Sequence, residues 1–268
     1  VELPLALMNP GDLLLLPDPG YPDYLSGVSL GRVAYETFPL TAENDFLPDL
    51  DAIPEETARR AKFIYINYPN NPTGAVATKA FYEKLVAWAK TYEVGVVSDL
   101  AYGALGYRGY ENPSFLSTPG AKDVGIEFYT FSKTFNMAGW RLAFAAGNDQ
   151  MIEALNLIQD HLFVGIFPAL QEAGITALLD PKSEEAVAQL NATYDSRRDA
   201  FVQAAAKIGW KAFPSKGSFY AWMPVPEGYT SESFADLLLE KAHVAVAPGK
   251  GFGPAGDAYV RIGLLVEP

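Results

Sequence analysis

The sequence predicts an α/β fold in which a mostly parallel sheet lies between helices, followed by a smaller α+β unit. Three features carry this expectation. Apolar runs rich in β-branched and aromatic residues recur and stop at turn or polar residues, helical periodicity separates the first two of them, and the texture changes after Gly147.

From Ala61 the run KFIYINY reads as a strand entering the sharp loop Pro69-Asn70-Asn71-Pro72-Thr73-Gly74. Thr78 then stands as N-cap to KAFYEKLVAWAKTY, where Phe81, Leu85, Trp88 and Ala89 mark one helical face. A second strand, VGVVSDLAY, reaches Asp99. A third, Gly125–Phe131, ends at Ser132-Lys133, and Arg141–Gly147 reads as a fourth. Near-continuous apolar strands joined through helices fit a parallel sheet covered on both faces. Helices are expected over Asp149–Leu162 and Ser183–Ile208. Short strands follow around Phe219–Trp222, Val244–Val246 and Tyr259–Ile262. The division falls near Asp180-Pro181, giving a large unit over 1–180 and a small one over 181–268. Trp88 is expected in the helix core, and Trp210 and Trp222 in the packing of the small unit.

Composition removes several functions. The 268 residues are 49% hydrophobic and 19% charged, ample for a core, and the net charge is −12. Nucleic acid and anionic membranes are poor partners for that charge. With no cysteine and two histidines, His161 and His243, thiol catalysis, iron–sulfur ligation and a histidine-rich metal centre lose their ligands. There is no basic stretch ahead of the first apolar residues and no apolar run of about 18 residues, so a cytoplasmic protein is expected. The glycines at 249, 251, 253 and 256 precede a strand instead of opening a helix, which excludes a dinucleotide fingerprint.

Ligands of open α/β sheets bind beyond the carboxyl ends of the strands. Asn71, Asp99 and Lys133 each fall at such an end, spaced by about one strand–helix–strand unit of ~30 residues, so the three can converge. An amide, a carboxylate and an amine in one pocket suit pyridoxal phosphate. Lysine forms a Schiff base with its aldehyde, Asp99 pairs with the ring nitrogen, and Asn71 and Tyr102 donate to the phenolic oxygen. Thr130, Ser132 and Arg141 supply hydroxyls and a guanidinium for the phosphate, and Tyr21, between turn residues, offers a ring for stacking. Each residue alone also has an ordinary reading. NPTG is a turn, Asp99 a helix cap, Tyr21 a loop aromatic, and Arg141 and Arg261 ion-pair residues.

The combination PGYPDY, YPNNPTG, SDLAYG, TFSKTFNMAGWR and YVRIG, in this order from Pro19 to Gly263, resembles the class I/II aminotransferases, which are fold-type I pyridoxal-phosphate enzymes. The resemblance implies that Lys133 is the Schiff-base lysine, Asp99 the pyridinium partner, and Asn71 and Tyr102 the ligands of the phenolic oxygen. It gives Thr130 and Arg141 to the phosphate, Tyr21 to the ring face and Arg261 to the substrate α-carboxylate. Family members carry roughly a hundred residues before this point, so the chain reads as a fragment lacking the N-terminal part of the fold. Homodimers with the site at the subunit interface are implied as well.

The implied reaction is transfer of an amino group from an L-amino acid, with glutamate or glutamine as donor, to a 2-oxo acid. The motifs resemble the branch of diaminopimelate-type and methionine-salvage transaminases, with aromatic and aspartate enzymes nearby. Two alternatives stand beside it. One is a carbon–sulfur lyase or cyclopropane-forming synthase using the same cofactor, and the other is the pyridoxal-phosphate-binding domain of a transcriptional regulator.

Overall fold

A computed structural model describes residues 1–213 and 215–267. The first sheet has six strands: β1 (Leu13–Asp18), β2 (Ala34–Pro39), β3 (Ala61–Asn67), β4 (Gly95–Asp99), β5 (Gly125–Thr130) and β6 (Ala143–Gly147), in the order β2-β1-β3-β4-β5-β6. The pairings among β1 to β5 are parallel, and β6 closes one edge antiparallel to β5.

Strand periodicity sorts the core onto two faces. Leu13, Leu15, Ile64, Ile66 and Val96 join one buried cluster, while Leu14, Leu16, Phe63, Tyr65, Val97 and Ile126 join another. Each such aliphatic side chain, fully buried, contributes ~1.5–3 kcal/mol. Burial on both faces explains why these strands read as continuous apolar runs.

The helix Lys79–Tyr92 packs on the first cluster through Phe81, Leu85, Trp88 and Ala89. Thr78 caps it, its hydroxyl accepting from the Phe81 N–H at 3.1 Å, and Glu93 ends it in the left-handed region at φ 56°.

A second sheet follows: β7 (Tyr220–Pro224), β8 (Ala247–Pro248) and β9 (Tyr259–Gly263), all antiparallel in the order β7-β9-β8. Helices Lys182–Lys207 and Ser231–Ala242 cover it through Ala205 and Phe234. The α/β architecture with a smaller antiparallel sheet is as the sequence predicts.

Several elements differ from the sequence expectation. β1, β2 and the helices Asp23–Gly31, Pro168–Leu179 and Ser231–Ala242 were not anticipated. The fourth anticipated strand starts at Ala143, because Arg141 is left-handed at φ 53° and cannot continue a strand. The helix from Asp149 is regular only to Ile158 and then widens into a π turn, Gln159–Phe163. The strand expected at Val244–Val246 forms instead at Ala247–Pro248, after His243 ends the preceding helix left-handed at φ 56°. Trp222 is fully buried, but in the cluster of the first sheet, stacked on Tyr259 at 5.1 Å. It joins the two sheets instead of filling the smaller one.

Candidate active site

The ends of β3, β4 and β5 deliver the central residues. β3 and β4 pair Asn67 with Asp99, and the Asn67 side chain donates to the Asp99 carbonyl at 2.8 Å. Asn67 Oδ1 also accepts from the Asn71 N–H at 2.8 Å, so one buried amide fixes the NPTG loop against the Asp99 strand. Within that loop Asn70 Oδ1 accepts from Thr73 through both N–H and hydroxyl, and Gly74 turns at φ +73°.

Asp99 Oδ2 accepts from the Tyr24 hydroxyl at 2.8 Å. Burial pushes the Asp99 carboxyl above its ordinary range, opposed by the Tyr24 hydrogen bond, the Ala101 N–H and the charge of Lys133. Burial likewise pushes the Tyr24 hydroxyl well up, reinforced by the negative charge of Asp99, so Tyr24 remains a donor.

Lys133 sits in the single turn Phe131–Thr134 that follows β5. Its Nζ lies 5.9 Å from the ring centres of both Tyr102 and Phe219. Among the described residues it has no ion-pair or hydrogen-bond partner. Thr130 caps the turn, its Oγ1 accepting from the Ser132 N–H at 3.2 Å and meeting the Ser132 hydroxyl at 2.9 Å. The Phe131 N–H donates to the Leu142 carbonyl at 3.2 Å, which brings Arg141 beside this turn. Arg141 itself is exposed and folds back to donate to the Ala138 carbonyl at 3.0 Å.

The second sheet contributes Arg261 from β9. Its Nη1 donates to Asn71 Oδ1 at 2.7 Å, joining residues 190 positions apart. The guanidinium carbon lies 4.2 Å from the Tyr220 ring centre and 4.6 Å from that of Phe252. Among the described residues no carboxylate pairs with it. Tyr102 is buried, and its hydroxyl lies 3.4 Å from that of Tyr220. Tyr21 is 39% exposed, donates to Asp23 Oδ2 at 2.7 Å and meets Tyr24 edge-on at 5.7 Å. The loop carrying it is tied to the segment between β8 and β9, since the Gly20 N–H donates to the Phe252 carbonyl at 2.7 Å.

The structure therefore links Asn71 to Arg261 directly, and Asp99, Tyr102 and Lys133 through Tyr24, Tyr220 and electrostatic proximity. Thr130 and Ser132 stand beside Lys133, whereas Arg141 makes no hydrogen bond to them. Sequence reasoning missed Tyr24, Asn67, Phe219, Tyr220 and Phe252. The signal for Tyr24 was present in PGYPDY, where its spacing from Tyr21 suits a helix starting after Pro22. The others lack local signals.

Among the described residues, an amine without an acceptor, a half-buried carboxylate with one side-chain donor, and a guanidinium without a counter-ion together suit a ligand that carries both charges. The family model for aminotransferase class I and II matches residues 1–266. The chain is 58% identical over 267 residues to the L-glutamine–4-(methylsulfanyl)-2-oxobutanoate aminotransferase of Bacillus subtilis, covering 100% of this chain and 67% of that protein. It is 49% identical to the LL-diaminopimelate aminotransferase of Moorella thermoacetica, covering 99% and 68%. The substrate-bound BacF structure from Bacillus subtilis superposes with a TM-score of 0.95 at 47% identity, covering 99% of this chain and 67% of that one. The chain thus spans about two thirds of the length of these relatives. With its site geometry and these likenesses, the chain belongs to the aminotransferase class I and II family, whose chemistry is transfer of an amino group between an amino acid and a 2-oxo acid.

Proposed function

We propose that this transferase works with pyridoxal phosphate held at Lys133, and that it takes its amino group from glutamine or glutamate and gives it to 4-(methylsulfanyl)-2-oxobutanoate or a related 2-oxo acid. The carrying observation is Lys133: a half-buried amine among aromatic rings, near Asp99, with no protein acceptor among the described residues. The donor set fits the cofactor. Asn71 Nδ2 has no acceptor among the described residues while its Oδ1 is engaged by Arg261.

Bound pyridoxal phosphate supplies an aldehyde that accepts amino groups and a ring that spreads the electron pair left when the substrate α C–H bond breaks. Lys133 Nζ carries the proton away from the α-carbon and returns it on the acceptor side. Asp99 would pair with the ring nitrogen, and Tyr24 holds its carboxylate in orientation. Asn71 and Tyr102 would donate to the phenolic oxygen, Tyr21 would cover a ring face, and Thr130, Ser132 and Arg141 would hold the phosphate. Arg261 would bind the α-carboxylate through the donors that Asn71 leaves free and so orient the substrate for reaction.

The preference for the methylsulfanyl substrate rests on the 58% identity to the Bacillus subtilis enzyme, against 49% to the diaminopimelate enzyme. The homodimer, the cytoplasmic location and the division into units 1–180 and 181–268 belong to the same proposal. Among the described residues no helix is long and apolar enough to cross a membrane.

Lys133→Ala tests the reading. The variant is expected to lose the cofactor's lysine-linked absorption band and at least ~10³-fold in turnover. A variant that transaminates at the parent rate overturns it. A panel of 2-oxo acids with glutamine as donor identifies the acceptor.

A further inference from the structure

Tyr220 has no role in the reaction as described so far, yet it occupies the junction between the substrate arginine and the cofactor residues. It is the first residue of β7 and pairs in register with Gly263, while Trp222 pairs with Arg261. Tyr220 and Arg261 are therefore diagonal neighbours on one face of an antiparallel pair. Glycine opposite Tyr220 presents no side chain there, and the ring lies 4.2 Å from the Arg261 guanidinium carbon.

The position of Tyr220 is set from outside its own sheet. Residues 215–218 are sewn to the two loops that carry Asn71 and Tyr102. Ser215 Oγ donates to the Gly74 carbonyl at 3.1 Å, the Tyr107 N–H to the Lys216 carbonyl at 2.9 Å, and the Ser218 N–H to the Leu105 carbonyl at 3.2 Å. The Tyr107 hydroxyl also donates to the Ser218 carbonyl. A Cβ at residue 74 would stand 2.3 Å from Ser215 Oγ, so glycine is needed for this approach as well as for its positive φ.

We propose that Tyr220 is a specificity-determining residue, whose ring holds the Arg261 guanidinium in the plane that takes an α-carboxylate. The inference rests on the assignment of Arg261 to that carboxylate. An aromatic face attracts a guanidinium without consuming any of its N–H donors. Asn71 takes one donor, and the remaining edge stays available for a carboxylate. A flat ring also excludes water from one side of the ion pair, which strengthens it. Without the ring, the long arginine side chain samples other rotamers and the clamp loses its preorganisation.

The test compares Tyr220→Phe and Tyr220→Leu with the parent, each loaded with pyridoxal phosphate. One reading is the KM for methionine set beside that for 3-(methylsulfanyl)propylamine, which lacks the carboxylate. The other is the Kd of 4-(methylsulfanyl)butanoate, a carboxylate with no reacting group, by calorimetry. Tyr220→Leu is expected to raise the methionine KM and the carboxylate Kd about tenfold while leaving the amine KM within about twofold. Tyr220→Phe, which keeps the ring, is expected to match the parent in all three. Equal losses for amine and amino acid in Tyr220→Leu, or an unchanged carboxylate Kd, overturn the inference. So does a Tyr220→Phe variant as impaired as Tyr220→Leu. A parent that binds the carboxylate no more weakly after Arg261→Leu overturns the underlying assignment instead, which separates the two failures.

Discussion

Two carboxylates on neighbouring strands, Glu127 buried and Asp99 half-buried, behave as opposites. Glu127, in β5, lies in register with Ser98 of β4 and is 5% exposed. Its Oε2 accepts from Ser98 Oγ at 2.9 Å and the Phe115 N–H at 2.8 Å, and its Oε1 accepts from Ser114 Oγ. Asp99, one residue beyond Ser98 and so directed to the other face, has one side-chain donor, Tyr24, and the Ala101 N–H. Burial raises both carboxyls above their ordinary values. Glu127 is saturated by groups that tie residues 114–116 to the sheet, whereas Asp99 keeps capacity open at the strand end. The lesson is that perturbed ionisation alone does not mark a functional carboxylate; unfilled coordination facing the converging site residues does.

The widest separation between the two comes from removing each carboxylate in turn. Asp99→Asn is expected to lower kcat/KM by roughly 10²–10³-fold, since a fixed charge opposite the developing one is removed, while the melting temperature stays nearly that of the parent. Steady-state kinetics beside thermal denaturation measures both. Glu127→Ala should do the reverse. Three donors lose their acceptor at a cost of about 2–4 kcal/mol in denaturant unfolding, with kcat/KM of the folded enzyme changed less than about threefold. A Glu127→Ala enzyme as stable as the parent would remove the contrast.

A smaller effect sharpens the Asp99 side. Tyr24→Phe removes a hydrogen bond that lowers the Asp99 value, so the carboxyl titrates at still higher pH. The acidic limb of the kcat/KM profile is then expected to move upward in pH, with a loss of only a few-fold at its plateau. An unmoved limb would detach Tyr24 from Asp99.

The smallest effect concerns stability against pH. The folded value of Glu127 lies above its ordinary 4.5. Folding therefore favours its protonated form, and that contribution is complete below pH 4.5 and is lost as pH rises through the folded value. Glu127→Gln cannot titrate, so its unfolding free energy should fall less than the parent's between pH 4 and pH 7. Urea titrations at the two pH values show the difference.

Much of the first sheet was legible because fully buried parallel strands write themselves as apolar runs that stop where the chain leaves the sheet. Asn71, Asp99 and Lys133 stood out for that reason, as polar residues at those stops. β1 and β2 were not anticipated, although LLLLPD is as apolar as the strand from Ala61. β2 is largely exposed, which leaves it without strong patterning. Asn67 looked like part of a strand, and only pairing with β4 turns its amide toward both Asp99 and Asn71.

The order and identity of the strand-end residues came from the sequence alone, because burial periodicity and turn chemistry are local properties of the chain. The meeting of Arg261 with Asn71, of Tyr24 with Asp99, and of Tyr220 with both Tyr102 and Arg261 was decided by tertiary structure. These contacts join segments from 75 to 190 residues apart, or cross strands whose register no short stretch encodes. A side chain's type is written locally, but its partner is selected by how the two sheets pack.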